Sequence, residues 1–125
     1  MTSPTSRSLA LLRERGWIYG KVELQIPKTF IKRDLFGCFD YVAFNPLAPA
    51  PELLHLQFTD GTNHSKRVLK IQLWEHLDAF LRIPGCKAEV WSWAKLGQAG
   101  TRKLWTLRRI RLLRSGGMIA LTGPP

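Results

Sequence analysis

Acidic residues are scarce in this chain: nine Asp and Glu stand against nineteen Lys and Arg, a formal net charge of +10. Such an imbalance excludes a self-neutralised surface and makes a polyanion the natural partner, because cations that neutralise phosphates release counterions; simple solubility is the bland alternative. Cysteine is scarcer still. Cys38 and Cys86 have no short spacing and no paired Cys or His neighbours, which excludes a zinc site built from them and leaves two buried free thiols. Long hydrophobic runs are missing too: nowhere do the ~18 apolar residues of a membrane span occur together. The stretch Met1 to Arg7 has no apolar signal core, so a cytoplasmic protein without a membrane partner is expected. No repeat is visible, and 125 residues with 45% hydrophobic content suit one domain.

What is present reads as alternating strands and short helices. Ser6 to Gly16 is an amphipathic helix with Ser3 or Thr5 as cap, Pro4 in its first turn and Gly16 as its stop. Trp17 to Ile26 is rich in β-formers and predicts a first strand ended by Pro27. Phe36 to Phe44 predicts a second, central strand, and Glu52 to Thr59 a third after a proline-rich surface turn. Asp60 to Asn63 supplies a turn and a cap for a helix from His64, continuing to Leu81 with a break near Gln72 and Leu73. Cys86 to Ala94 and Lys103 to Leu113 predict two more strands around a Gly97 to Gly100 turn. Residues 1–114 form the domain, and the Gly- and Pro-rich 115–125 is expected to be a loosely ordered tail. Strands in runs with helices to the side predict an α+β fold, not a doubly wound parallel sheet.

Within this order Asp40 opens one apolar strand and Gln57 sits near the end of the next. Antiparallel pairing of the two brings both side chains to one point, where a divalent ion fits, as in a metal-dependent nuclease site.

The order helix, three-stranded meander, helix, two further strands, with Asp at the head of the second strand and a polar pair on the third, resembles the PD-(D/E)xK nuclease superfamily over nearly the whole chain. The phrases Arg33-Asp34-Leu-Phe-Gly37-Cys-Phe-Asp40, Gln57-Phe-Thr59 with Asn63-His64, Arg67-Val-Leu-Lys70-Ile71 and Val90-Trp-Ser-Trp93 are similar to small nucleases carried by phages and prophages. The resemblance implies a restriction-endonuclease-like core with one mixed sheet, and a Mg2+- or Mn2+-dependent endonuclease that hydrolyses DNA. It further implies branched or junction DNA as substrate and action as a homodimer. Its first acidic ligand falls on Asp40 and its second on Gln57, whose amide carbonyl brings no charge, so Glu23 or Asp34 would have to supply it; the Phe58 carbonyl is a further donor. Thr59 stands where the family carries lysine, and Lys70, Arg67 or Lys66 on the following helix would return that cation. Lys70 follows Arg67 by three residues and shares its helix face. These departures leave a second reading open, a catalytically weakened DNA-binding module of the same fold.

Several residues have two readings from sequence alone. Asp34 is either a turn former or a site residue. Glu23, mid-strand among apolar neighbours, either faces outward or ligates metal. Arg67 and Lys70 are either a solvated helix face or phosphate contacts. His64 is structural or stands near the phosphate. Trp91, Trp93 and Trp105 make an aromatic patch, for core packing or for base stacking. Lys28, Lys32, Arg33, Lys66, Arg102, Lys103, Arg109 and Arg111 are the candidate DNA contacts, with charge protection of an edge strand as the alternative at the last strand.

Overall fold

The computed structural model describes residues 2–97, 100, 102–123 and 125. The chain opens with α1 (Pro4–Glu14), where the Ser3 side chain accepts the Ser6 N–H at 3.1 Å and Pro4 takes a first-turn position that needs no donor. Then follow β1 (Ile18–Lys21), β2 (Leu24–Gln25), β3 (Lys32–Arg33), β4 (Tyr41–Phe44), β5 (Leu53–Asp60), α2 (His64–Gln72), α3 (Leu77–Leu81), β6 (Cys86–Leu96), β7 (Leu104–Leu112), a 3-10 turn at Arg114–Gly116 and β8 (Met118–Leu121). Six strands form one sheet in the order β1-β4-β5-β6-β7-β8, while β2 and β3 pair separately as a hairpin. Among the described residues only β5 and β6 run parallel, since α2 and α3 lie between them in the chain and supply the crossover a parallel pair requires. The architecture is thus α+β with a mixed sheet, as expected.

The sheet is covered on both sides. On one face Leu9, Leu11 and Leu12 of α1 pack with Ala43, Leu54, Leu56, Phe58 and Trp91. On the other, Val68 and Ile71 of α2 and Leu77 and Phe80 of α3 pack with Phe39, Ala88, Val90, Ile110 and Leu112. Strand alternation then divides β5: Leu54, Leu56 and Phe58 serve the α1 face, while His55, Gln57 and Thr59 point the other way. All six are buried. Three polar side chains in the interior of a doubly covered strand are costly unless each finds a partner or a task.

Three expectations from the sequence need correction. The first strand does not run unbroken to Ile26. The Val22 N–H still reaches the Asp40 carbonyl at 3.0 Å, but Leu24 and Gln25 then pair with Arg33 and Lys32 in the hairpin. The second strand begins only at Tyr41, because Phe36 (φ 56) and Gly37 (φ 71) adopt left-handed conformations in a tight turn closed by the Leu35 N–H on the Phe39 carbonyl at 2.7 Å. The tail is not loose: Met118 to Leu121 pairs antiparallel with β7, Leu112 opposite Met118 and Arg109 opposite Leu121. The expected Gly97 to Gly100 turn contains Gln98 and Ala99, which lie outside the described residues.

Candidate functional site

Asp40 stands at the head of β4, its own N–H bonded to the Leu56 carbonyl of β5 at 3.0 Å. The register that follows, Tyr41 opposite Leu56 and Val42 opposite His55, carries β5 past it. The Asp40 carboxyl is largely out of water, and its Oδ1 is buried with no hydrogen-bond partner among the described residues. Burial, and after it the negative charge of Asp34, pushes this carboxyl from 3.8 up to about 7. Glu23 adds to the rise, while the backbone N–H groups of Asp40 and Phe58 oppose it. Phe58, expected to offer its carbonyl, brings its N–H to Asp40 instead.

Asp34 closes the hairpin that begins after Val22 and lies within reach of three elements. Its Oδ2 is 3.6 Å from Lys70 Nζ at the last turn of α2. One end of the Gln57 amide sits 3.3 Å from Asp34 Oδ2 and 2.7 Å from the Cys38 carbonyl, both acceptors, so that end is the NH2 and donates to both. Gln57 is buried. Glu23 is half-buried and pairs at 3.6 Å with Lys21. The structure therefore brings together Asp40, Asp34, Gln57, Glu23 and Lys70 on the α2 side of the sheet. Among the described residues no group of three or more His, Cys, Asp or Glu side chains stands close enough to hold a metal ion unaided. What the cluster offers is a buried carboxylate oxygen, a second carboxylate beside it, an amide whose NH2 end faces Asp34 and the Cys38 carbonyl, and an ammonium.

The remaining candidates are dispersed. Arg67, a turn before Lys70, is half-buried with its Nε unpartnered among the described residues. Thr59 is buried beside Ser92 in the parallel register. His64 opens α2 at the opposite end from Lys70 and is buried, its Nδ1 2.6 Å from Ser92 Oγ. Burial, then the charge of Arg108, pulls its pKa below the usual range. Ser92 and Arg108 also line a groove of about 600 Å3 with Asp60, Lys95 and Trp105, away from Asp40. Lys28, Lys32 and Arg33 on the hairpin, Lys66 on α2, and Arg102 and Lys103 ahead of β7 are exposed.

Arg109 and Arg111 are not surface cations. Both turn to Glu89, a residue the sequence reading passed over, whose carboxylate is wholly buried. It accepts Arg111 Nε at 2.9 Å and Nη2 at 2.7 Å, accepts Trp91 Nε1 at 2.9 Å, and lies 4.0 Å from Arg109 Nη1. Arg109 also donates to the Gly123 carbonyl at 2.8 Å, and burial lowers its pKa. The signal that could have found this network is a lone Glu inside the apolar run from Cys86 to Ala94, since such a charge needs a partner. The aromatic patch divides as well. Trp91 is core, Trp93 donates to Ser8 Oγ at 2.9 Å, and Trp105 is exposed with the Arg7 guanidinium 4.1 Å above its ring.

Comparisons with protein-family models, with curated proteins and with solved structures found no match to this chain.

Proposed function

We propose that this protein is a metal-dependent DNA endonuclease with a restriction-endonuclease-like core, acting on branched or junction DNA. The observation that carries the reading is the buried, unpartnered Oδ1 of Asp40 in a cluster with Asp34 and Glu23. A carboxylate left so is unfavourable in isolation, and a hard cation relieves it. Mg2+ and Mn2+ fit this donor set: such ions bind through one or two carboxylates and keep several waters, so a tight all-protein cage is not required. Asp40 and Asp34 would hold the ion, and Gln57 would add its amide oxygen only by turning over and giving up its bonds to the Cys38 carbonyl and Asp34. When bound, the ion supplies charge neutralisation at the phosphate and a water of lowered pKa.

The chain's own residues do the rest. Lys70 holds an ammonium 3.6 Å from Asp34, the place from which a cation can meet charge developing on a phosphate, which Thr59 on β5 cannot do. The exposed hairpin cations, with Lys66, Arg102 and Lys103, bind the DNA backbone with a strength that falls as salt rises. A DNA-binding module without hydrolysis is the second reading, and Gln57 and Thr59, both uncharged, favour it.

The separating experiment incubates wild type and Asp40→Asn with Mn2+ on linear, nicked, flapped and four-way DNA. The nuclease reading expects products from wild type alone, with DNA binding retained by both. Equal traces on every substrate would leave the binding module.

A further inference from the structure

The chain leaves the sheet after Val22 and returns to it at Asp40, and the hairpin arm within that span is rooted in the Asp40 cluster at both ends, through Glu23 and Asp34. Beyond the two paired positions of β2 and β3, the tip is fixed by its own bonds. The Ile26 N–H reaches the Ile31 carbonyl at 2.9 Å, Gln25 Nε2 the Thr29 carbonyl at 2.6 Å, and Thr29 Oγ1 the Ile26 carbonyl at 2.9 Å. Pro27 locks one φ and Lys28 takes a left-handed one (φ 61), a strained conformation for a residue with a side chain. This rigid turn holds Phe30 entirely in solvent, with a relative exposure of 103%, and Ile31 and Leu24 are exposed beside it. Lys28, Lys32 and Arg33 are exposed on the same hairpin.

A single exposed apolar residue is ordinary. A fully presented aromatic ring on a self-braced turn, with exposed cations on the same hairpin and a carboxylate cluster at its root, suits a partner that offers both phosphates and base faces. Cations take phosphates, and a ring takes the face of a base. Intact duplex resists such a ring, because opening a base step must break its stacking, whereas a branch or nick already offers an unstacked face.

Resting on the nuclease reading above, we infer that the hairpin tip is a wedge for discontinuous DNA: Phe30 stacks on an exposed base at a branch point while Lys28, Lys32 and Arg33 grip the flanking phosphates. The wedge thereby sets the substrate class. The tip lies four residues from Asp34, roughly 13 Å of extended chain, which places the cut a few nucleotides from the discontinuity.

The test is binding in EDTA, where cleavage plays no part, to a four-way junction carrying 2-aminopurine at its branch point and to an intact duplex of the same sequence. Wild type should lower the aminopurine fluorescence on the junction, as the ring stacks on the exposed base, and leave the duplex signal unchanged. Phe30→Ala should abolish the fall and weaken junction binding by about tenfold or more, with duplex affinity unchanged within twofold. Phe30→Trp should keep the fall, and melting curves of both variants should match wild type because the side chain touches solvent alone. DNA binding with no fluorescence fall, or an equal fall from Phe30→Ala, overturns the wedge and leaves the nuclease reading standing. Failure to bind either DNA overturns both.

Discussion

Glu89 and Asp40 are both carboxylates withdrawn from water in the same sheet, and the chain surrounds them in opposite ways. On the α1 side Glu89 receives two bonds from Arg111 and one from Trp91, with Arg109 close by; Arg111 extends the network to Glu52 at 3.4 Å. Both oxygens accept hydrogen bonds, and the network ties β6 to β7. On the α2 side Asp40 is met by two further carboxylates, and one oxygen meets nothing among the described residues. A satisfied buried charge is a structural joint. An unsatisfied one holds free energy that a cation could release on binding, and under the proposed reading this is what separates a residue that builds the fold from one that serves chemistry.

Substitutions can break or sharpen that contrast. Glu89→Ala removes the carboxylate shared by buried Arg109 and half-buried Arg111 and should cost about 3 to 5 kcal/mol in urea denaturation; a cost below about 1 kcal/mol would mean that the network is not the joint described. Asp40→Asn should do the reverse. A carboxyl raised to about 7 holds its proton in the folded state to higher pH than in the unfolded chain. Its contribution is therefore complete below about pH 4 and lost as pH rises through 7. In EDTA at pH 8 the Asn variant should be more stable than wild type, by up to about 4 kcal/mol, and the gap should close by pH 4.

Lys70→Ala should slow cleavage by on the order of 100-fold while moving stability by less than about 1 kcal/mol, since the pair with Asp34 is partly exposed. The smallest effect belongs to the buried histidines. Burial lowers the pKa of both His55 and His64, so their share of stability is present above their unfolded value and fades as pH falls through the lowered one. His64→Asn should flatten the decline in melting temperature between pH 7 and pH 5. Asp40 runs with the opposite slope over the same window, so the two variants should diverge from wild type in opposite directions.

Local signals were enough for some of this. Ser3, Pro4 and Gly16 bracket α1 by capping chemistry alone, and the apolar run from Leu53 to Phe58 reads as a buried strand in any context. Asp40 and Gln57 were legible as neighbours because a hairpin-like connection leaves few registers open. Asp34 remained ambiguous, since its tie to Lys70 depends on where α2 lands. Choices settled by distant partners were hidden. Met118 to Leu121 looks like a tail until β7 presents an unpaired edge. Arg109 and Arg111 look like surface charge until Glu89 appears opposite Arg111. Phe36 to Phe44 looks like one strand because hydrophobicity does not report the left-handed turn at Phe36 and Gly37.

The most direct test of the contrast between the two carboxylates is anomalous diffraction from crystals soaked in Mn2+. The expected result is a peak about 2.0 to 2.4 Å from Asp40 Oδ1, with none at Glu89. Mn2+ bound elsewhere on the molecule while Asp40 stays bare would contradict it.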